Sequence, residues 1–392
     1  MSEIELQGQP DVLIDVDAES SADMVTEELL INMGPQHPST HGVLRLLLRT
    51  DGELVLEVTP HIGYLHRCAE KIGENLTPKQ YVPYTDRLDY LSAMNNNLTY
   101  ALAIEALAGI EVPERATYIR MIMAELNRIA SHLVTFGCFG MDLGAWTAFL
   151  YSFREREHIM DLFESTCGAR LTYSYITVGG VTHDLPDNFV ERLREFLDYF
   201  DPKLPEYDGL LSNNHIFVRR TANIAPVTAE QAIAWGLSGP IMRACGPRWD
   251  LRRVSPYCFY DRVEFDVPVG EGQMGTVGDS WDRYIIRMLE MRQSVRILRQ
   301  LLDQLPDGEV MAKVPRTLKL PPGEIYMETE NPRGQLGFYV QTDGSPIPYR
   351  VKAKGPSFCN LSIMHEICRG ILIADIPAIL GSIDVVMGEV DR

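Results

Sequence analysis

The sequence contains no Cys-x-x-Cys pair, and this absence narrows the chemistry open to the chain. Its seven cysteines are scattered, and the two nearest, Cys359 and Cys368, are nine residues apart. Dispersed cysteines in a long chain are typical of reduced thiols rather than of disulfides or a cysteine-based metal site. The sequence also has no P-loop, no Gly-x-Ser-x-Gly elbow, no His-Glu-x-x-His motif and no clean dinucleotide fingerprint. The common catalytic templates therefore assign no function.

Long apolar runs and an excess of basic residues are absent as well. The longest uncharged stretches, 29–44 and 90–104, contain sixteen and fifteen residues, whereas a membrane-spanning helix needs about 18–20 apolar residues. The first 30 residues do not have the basic start and apolar core of a signal peptide. Lys and Arg number 36 against 54 Asp and Glu, which gives a net charge of −18. We therefore expect a cytosolic chain that binds no nucleic acid, although such a chain can still sit on a membrane complex.

The composition is that of a globular protein, with 45% hydrophobic and 23% charged residues. Residues 1–30 hold nine acidic residues, and the first basic residue is Arg45, so we expect a solvated tail there. Residues 31–64 form the next region, in which two β-rich runs, 43–50 and 53–59, flank an Asp51-Gly52 turn. Two prolines and two glycines in 34–42 predict a loop that leads into this hairpin.

Residues 65–310 have a helical pattern, and residues 311–392 return to strands. Apolar residues recur every three or four positions across 115–136, which predicts one face of a long helix. A second helix is predicted over 143–164, and a third begins at a cap on Asp279 or Ser280 and ends near Pro306. The predicted C-terminal strands, around an Asp343-Gly344 turn, are 323–330, 336–342 and 347–354. We predict an α+β, mainly helical fold with small β-sheets flanking a helical core.

Three polar residues lie where loops and helices meet. His41 precedes the hairpin, Tyr90 follows Asp89 near a helix start, and Asp142 lies between two predicted helices. Each has an ordinary structural explanation, because a loop histidine is often a surface or capping residue, a tyrosine is often core and an aspartate often caps a helix. The residue types and their spacing alone leave both explanations open.

Longer motifs favour a functional role. Six such motifs follow one another along the chain. They are Gly-Pro-Gln-His-Pro-Ser-Thr-His-Gly-Val-Leu-Arg at 34–45, His-Ile-Gly-Tyr-Leu-His-Arg at 61–67, Arg-Leu-Asp-Tyr-Leu at 87–91, Glu-Leu-Asn-Arg-Ile-Ala-Ser-His-Leu at 125–133, Phe-Arg-Glu-Arg-Glu at 153–157 and Met-Gly-Glu-Val-Asp-Arg at 387–392. This series resembles the D-subunit family of respiratory complex I, the proton-pumping NADH–quinone oxidoreductase. The resemblance covers nearly everything after residue 30.

The resemblance implies a fold like that of nickel–iron hydrogenase large subunits, which hold their metal with two Cys-x-x-Cys motifs. The equivalent positions in this chain are Asp89, Ser92, Val386 and Glu389. A nickel–iron site needs thiolate ligands, so we expect no metal bound by this chain. The old active-site cavity is expected to take a quinone instead, menaquinone or ubiquinone.

His41 and Tyr90 resemble the two residues that, in this family, hydrogen-bond the two carbonyls of the quinone headgroup. Reduction to quinol takes two electrons and two protons, so each carbonyl oxygen needs a proton donor as negative charge develops. Asp142 resembles the acidic partner of that histidine, which would fix its tautomer and favour its charged form. The implied catalytic residues are therefore His41, Tyr90 and Asp142, and charge released on Asp142 is expected to help drive a rearrangement towards the membrane arm.

The resemblance also implies partners and a location. Electrons are expected from an iron–sulfur cluster in an adjacent subunit, and Arg87 resembles the arginine that lies close to that cluster. The ordinary explanation for Arg87 is a salt bridge at a helix start. The expected partners are this cluster-bearing subunit and the other peripheral-arm and membrane-arm subunits. We expect a peripheral position on the cytoplasmic side of a bacterial inner membrane.

Two departures from the family pattern leave alternatives open. Thr172 follows Gly168-Ala169-Arg170 at a place where much of the family has histidine, so we expect a weaker pH dependence of the cluster potential. The segment between Leu305 and Pro322 is shorter than in many relatives, which resembles ferredoxin-driven complexes of photosynthetic membranes. A ligand-free, hydrogenase-like scaffold is the other alternative.

Overall fold

The structure is a computed structural model that describes residues 28–315 and 317–392. Most of the acidic segment 1–30 lies outside the described residues. Its last residues belong to a strand, Glu28–Met33, which the sequence pattern did not predict. This strand is one edge of the first sheet.

The described chain is mainly helical, with three small antiparallel sheets, and this confirms the predicted α+β class. The helices are α1 (Ala69–Gly73), α2 (Pro78–Thr85), α3 (Ala93–Ala108), α4 (Glu114–Asp142), α5 (Trp146–Cys167), α6 (Phe189–Phe200), α7 (Lys203–Tyr207), α8 (His215–Thr221), α9 (Ala229–Ala234), α10 (Pro240–Ala244), α11 (Leu251–Val254), α12 (Ser280–Gln304), α13 (Pro356–Leu361), α14 (Met364–Ile367), α15 (Ile376–Ile383) and α16 (Met387–Asp391). The strands are β1 (Glu28–Met33), β2 (Arg45–Asp51), β3 (Leu54–His61), β4 (Ile176–Thr177), β5 (Gly180–Val181), β6 (Gly323–Asn331), β7 (Gly334–Thr342) and β8 (Arg350–Lys354). No helix in these ranges is both long enough and apolar enough to cross a bilayer.

The N-terminal sheet has the order β1-β2-β3. The predicted hairpin is present, but its turn lies one residue later than the sequence indicates, because Asp51 pairs with Leu54 and leaves Gly52 and Glu53 as the turn. Gly52 has φ +57°, a conformation in which glycine carries no steric cost. Strand β2 alternates, with Leu46 and Leu48 buried, so one face of this sheet packs on the core.

Three long helices form the centre of the molecule. Helix α4 is 29 residues long and buried on almost every side, which explains why its apolar residues extend beyond a single stripe. Helix α5 begins at Trp146 rather than Leu143, because Gly144 takes φ +90° and turns the chain after α4. Helix α12 begins as predicted, since the Asp279 side chain accepts a hydrogen bond from the Asp282 backbone N–H at 2.8 Å.

The C-terminal sheet has the order β6-β7-β8, and Asp343-Gly344 follows β7 as predicted. The tighter turn lies between β6 and β7, where Arg333 precedes Gly334. This turn inserts the Arg333 side chain into the protein, where only 2% of the residue is exposed. The last strand begins at Arg350 rather than at residue 347.

The two ends of the described chain share an apolar core. Leu46 and Leu48 of the N-terminal sheet belong to the same buried cluster as Ile379 and Leu380 of α15. Helix α15 in turn packs against α4. The loop before β2, the segment before α3, helix α4 and the segment after α15 thereby meet at one place.

Candidate functional site

The loop between β1 and β2 is held closed at its base. Gly34 has φ +86°, and a Cβ added there would lie 2.1 Å from the Leu44 carbonyl oxygen, so only glycine allows the two ends to approach. Within the loop, the Thr40 N–H donates to the His37 carbonyl at 3.2 Å, and the Leu44 N–H donates to the Thr40 carbonyl at 3.3 Å. His41 sits at the tip with φ +50°. This geometry aims a single histidine inward.

His41 and Tyr90 line one cavity of about 230 Å³. The structure therefore brings together two residues that are 49 positions apart in the sequence (90 − 41). Polar and charged groups on the walls also come from Arg333 and Asp384. The other lining residues are Leu91, Val134, Thr135, Cys138, Phe139, Gly381, Val385 and Val386.

Glycines bring the walls of this cavity close together. A Cβ added at Gly381 of α15 would lie 2.6 Å from Cδ2 of Phe139 on α4, so the absence of a side chain permits the helix contact. A Cβ added at Gly388 would lie 2.6 Å from the Leu88 carbonyl oxygen, beside the Tyr90 ring. The wall that contains Tyr90 is therefore packed directly against α16.

The His41 ring has an unsatisfied nitrogen. Its Nε2 is buried and has no hydrogen-bond partner among the described residues. Burial lowers the pKa of His41, while the Asp384 carboxylate raises it and the Arg333 guanidinium lowers it further. The net direction favours a neutral imidazole, which can donate or accept one hydrogen bond at the cavity wall.

Tyr90 is half-buried, and burial is the main reason that its pKa is raised. Its phenol is therefore protonated at neutral pH and can donate a hydrogen bond. The tyrosine belongs to a cavity wall rather than to the closed apolar core.

Asp142 lies close to the loop but not in the cavity lining. It is the last residue of α4 and does not cap α5, whose N-cap residue is Ala145. Burial raises the pKa of Asp142 to about 6, and a hydrogen bond with the Ser39 side chain partly opposes this shift. In the part of the chain that is described, Asp142 contacts the His41 loop through Ser39, and no hydrogen bond joins it to the His41 ring.

Arg87 lies on the surface, away from the cavity lining. Its guanidinium donates to the Pro83 carbonyl at 2.5 Å, and its own carbonyl accepts from Arg67 at 2.6 Å. The exposed ring of Tyr84 is its neighbour in a shallow depression. The guanidinium therefore bonds to a backbone carbonyl rather than to a carboxylate.

Arg333 is the central buried charge of the site, and the sequence pattern did not single it out. Its guanidinium donates to Asp89 at 2.7 Å and to Asp384 at 3.2 Å. Further bonds go to the Ser131 hydroxyl at 2.9 Å and the Ser92 hydroxyl at 3.3 Å. Burial disfavours this charge, but the surrounding carboxylates outweigh burial and raise the Arg333 pKa.

The four positions that were predicted to correspond to hydrogenase metal ligands lie around this arginine or on the cavity wall. Asp89 and Ser92 bond to Arg333, and Val386 lines the cavity. Glu389 is buried, and burial followed by the charge of Asp89 raises its pKa to about 7. Among the described residues, no group of three or more His, Cys, Asp or Glu side chains is arranged to hold a metal.

The segment after α5 contains the Thr172 departure. Thr172 has φ +53°, which is strained for a β-branched residue. The preceding Arg170 pairs with Asp161 at 2.7 Å and with Glu164 at 2.6 Å. Its side chain is thus fixed against α5.

Known proteins resemble this chain over most of its length. The family described as "Respiratory-chain NADH dehydrogenase, 49 Kd subunit" matches residues 142–319 and 313–392. The D subunit of the NADH-quinone oxidoreductase of Desulforamulus reducens is 54% identical over 366 residues, which cover 93% of this chain and 99% of the relative. The chain belongs to this family. It is therefore a component of an oxidoreductase complex, and its partners are other subunits of a complex I-type assembly.

Further members of the D-subunit family show similar coverage. The protein of the same name from Chlorobium luteolum is 51% identical over 374 residues, which cover 94% of this chain and 95% of the relative. The one from Bacillus cytotoxicus is 50% identical over 367 residues, with 93% and 99% covered. These matches confirm the family that the motifs indicated.

Proposed function

We propose that this chain forms the quinone-reduction site of a complex I-type NADH:quinone oxidoreductase and helps couple that reduction to proton translocation. The observation that carries the proposal is that His41 and Tyr90 line one cavity, with the His41 Nε2 buried and unpaired. The relatives are named as D subunits of NADH-quinone oxidoreductases, and those names fit this role.

The residues that line the cavity suit a quinone headgroup in polarity. Val134, Phe139 and Val385 supply apolar surface for a flat ring, while His41 and Tyr90 supply two donors for its two carbonyl oxygens. The volume of about 230 Å³ is below the range of about 300–1,000 Å³ typical of small-molecule pockets. We infer that a neighbouring subunit completes the site around the rest of the quinone.

The two donors act when negative charge develops on the carbonyl oxygens. Burial lowers the pKa of His41, so its bond to a neutral carbonyl is that of a neutral N–H. As a carbonyl oxygen gains negative charge, it favours the protonated ring, which then transfers its proton. Tyr90 retains its proton until a strongly basic oxygen faces it, because its pKa is raised. The His41 ring takes up the transferred proton from solvent during the turnover and returns to neutral, whereas Tyr90 must be reprotonated before another turnover.

Asp142 is proposed to communicate the protonation state of the site to the rest of the complex. Ser39, which affects the pKa of Asp142, lies two residues before His41. A change of charge on Asp142 or on His41 would therefore act on the same loop. We expect Asp142→Asn to lower the number of protons pumped per quinone reduced, measured in vesicles by a pH-sensitive dye. A ratio equal to that of the wild type would contradict this coupling role.

The neighbours, the location and the electron donor of this chain are proposed from the same family resemblance. We propose that an iron–sulfur cluster in the adjacent subunit faces Arg87, whose exposed guanidinium is free of a carboxylate partner among the described residues. The complex would lie on the cytoplasmic side of a bacterial inner membrane, with membrane-arm subunits below this chain. The names of the relatives support NADH rather than ferredoxin as the electron source.

We further propose that the fold is that of a hydrogenase large subunit whose metal site has been replaced. Asp89, Ser92 and Glu389 stand at ligand-equivalent positions, and all three lie close to the Arg333 guanidinium. A buried cation would then occupy the region in which a hydrogenase holds its metal. The remaining space beside it is the quinone cavity.

Tyr90→Phe tests the function directly. Phenylalanine keeps the ring packing but removes the hydroxyl, so donor-to-quinone turnover in the membrane complex should fall by at least about tenfold, or ~1.4 kcal/mol. Electron transfer from the same donor to an artificial acceptor should persist, which reports assembly. The matched control is Tyr349→Phe, because Tyr349 is 67% exposed and remote from the cavity lining.

The scaffold alternative makes the opposite prediction. If the chain only holds its partners together, Tyr90→Phe and Tyr349→Phe will both reduce quinone at the wild-type rate. That result would contradict a quinone site at this cavity.

A further inference from the structure

Asp384 lies on the same cavity wall as His41, although no motif singled it out. It follows α15 directly and has φ +57°, and only 4% of the residue is exposed. A left-handed conformation is uncommon for residues other than glycine, but aspartate and asparagine tolerate it best. The chain therefore turns at Asp384 in a way that places its side chain at the cavity.

The two oxygens of the Asp384 carboxylate have different surroundings. Arg333 donates to Oδ1 at 3.2 Å and to the Asp384 backbone carbonyl at 3.1 Å. The second oxygen, Oδ2, is buried and makes no hydrogen bond to any described residue. Its charged neighbour is Arg287, whose Nε lies 3.7 Å away. One carboxylate oxygen is thus anchored by hydrogen bonding, while the other has only the longer charge contact with Arg287.

Two residues of the cavity lining consequently have a buried side-chain atom without a hydrogen bond, His41 at Nε2 and Asp384 at Oδ2. Buried polar atoms are rarely left unpaired, because each costs about 1–3 kcal/mol. Two such atoms on the walls of one cavity indicate that the site is completed by a ligand or by a protonation change.

The groups around His41 come from four elements. Tyr90 lies before α3, Cys138 is on α4, Arg333 is in the β6–β7 turn and Asp384 follows α15. Of these, the Asp384 carboxylate favours the charged ring and the Arg333 guanidinium opposes it. Asp142 lies outside the lining, and the Ser39 side chain acts to lower its pKa.

We propose that Asp384 is a positioning residue for quinone reduction, whose carboxylate on the cavity lining compensates the positive charge of the His41 ring whenever that ring is protonated. This inference rests on the proposed quinone site. In the step concerned, an N–H bond of the protonated ring breaks, an O–H bond forms on the reduced quinone oxygen, and the ring returns to neutral. The electrons come through the complex from its own donor. Asp384 takes no proton in this step.

Asp384→Asn in the assembled membrane complex tests the proposal. Asparagine suits the left-handed backbone, and Arg333 keeps its bond to Asp89, so assembly should persist. Removal of the negative charge makes protonation of His41 harder. The alkaline limb of the kcat profile for quinone reduction should therefore move to lower pH, by at least about half a pH unit.

Asp307→Asn is the matched control, because it makes the same chemical change at an exposed carboxylate outside the cavity lining. Its alkaline limb should coincide with that of the wild type. A profile of Asp384→Asn that coincides with the wild type would overturn the proposal, and so would an equal shift in Asp307→Asn.

Asp384→Glu supplies a second measurement in case the asparagine variant does not assemble. Glutamate retains the charge but displaces the carboxylate by one methylene, so kcat should fall at least about threefold while the alkaline limb stays in place. Wild-type kcat in this variant would overturn a positioning role.

Tyr90→Phe, measured in parallel, separates the two proposals. If Tyr90→Phe leaves quinone turnover unchanged, the quinone site itself is wrong and this inference falls with it. If Tyr90→Phe abolishes turnover while Asp384→Asn keeps the wild-type pH profile, only the role of Asp384 is wrong.

Discussion

The Arg333 guanidinium joins segments that are far apart in the sequence. It bonds to Asp89 before α3, to Ser131 on α4 and to Asp384 after α15. A buried ion pair is costly to break, because loss of one partner leaves an uncompensated charge in a low-dielectric environment. The geometry of the cavity walls therefore depends on this one side chain as much as on apolar packing.

Glu389 provides a stability test at the residue scale. Its pKa is raised to about 7 by burial and by Asp89, so the folded state binds its proton more tightly than the unfolded state. The resulting stabilisation is fully present below about pH 4.5 and is lost as the pH rises through about 7. Glu389→Gln should therefore be more stable than the wild type at pH 8, on the order of 3 kcal/mol, and equal to it at pH 4.

Denaturant unfolding of the purified chain at the two pH values measures this difference. The exposed residue Glu264 offers a control, since Glu264→Gln makes the same chemical change on the surface. Equal stability of the Glu389→Gln variant and the wild type at pH 8 would show that Glu389 carries no buried charge there.

Some site residues could be predicted from the sequence, and others could not. His41 and Tyr90 lie in motifs that resemble a known family, and the structure places both on one cavity. Arg333 and its partner Asp89 are 244 positions apart, and no local pattern reveals a salt bridge of that span. A charged residue between Pro332 and Gly334 is typical of an exposed turn, whereas this turn points into the protein.

At the scale of elements, the β1–β2 loop is shaped by one glycine. Gly34→Ala would place a Cβ 2.1 Å from the Leu44 carbonyl oxygen, so the loop base must open and His41 must move. We expect quinone turnover to fall by at least about tenfold, while artificial-acceptor activity of the complex is retained. Turnover is measured with a water-soluble quinone.

Gly52→Ala is the control for backbone strain alone. Gly52 has φ +57° and nothing within 4 Å of an added Cβ. Gly52→Ala therefore introduces backbone strain of about 1–2 kcal/mol without a steric clash. Turnover similar to the wild type is expected. If the two variants lose turnover equally, the loop base does not position His41.

Elements with strong local signals were predicted well. The periodicity of α4, the Asp279 cap of α12 and the hairpin near Gly52 are all present, with shifts of boundary. Strand β1 was missed because half of its pattern lies in an acidic segment and its residues Leu29 and Leu30 are exposed. An edge strand is specified by pairing with its neighbour rather than by alternation of apolar and polar residues in its own sequence. The sequence of such a strand is therefore a weak predictor of its presence.

At the scale of the whole complex, Thr172 gives a prediction for the proposed cluster interface. Threonine cannot change charge, so the wild-type cluster potential should depend only weakly on pH. Histidine tolerates the left-handed backbone of residue 172, and Thr172→His should steepen the slope towards about 59 mV per pH unit near the imidazole pKa.

A redox titration of the cluster at several pH values, followed by electron paramagnetic resonance, measures both slopes. A wild-type slope already equal to that of Thr172→His would contradict the prediction. Activity with the artificial acceptor shows that both complexes are assembled.

The residues that line the cavity are also synthesised at widely separated times. They include His41, Tyr90, Arg333 and Val386, so 345 residues (386 − 41) separate the first of these from the last. At about 5–20 residues per second, a ribosome needs roughly 17–70 seconds to cover that distance. For 244 of these residues (333 − 89) the nascent chain carries the Asp89 carboxylate without the Arg333 guanidinium, and until Val386 is added His41 and Tyr90 have no enclosed space between them. The cavity is thus among the last features to be completed during synthesis, because its lining includes Val386.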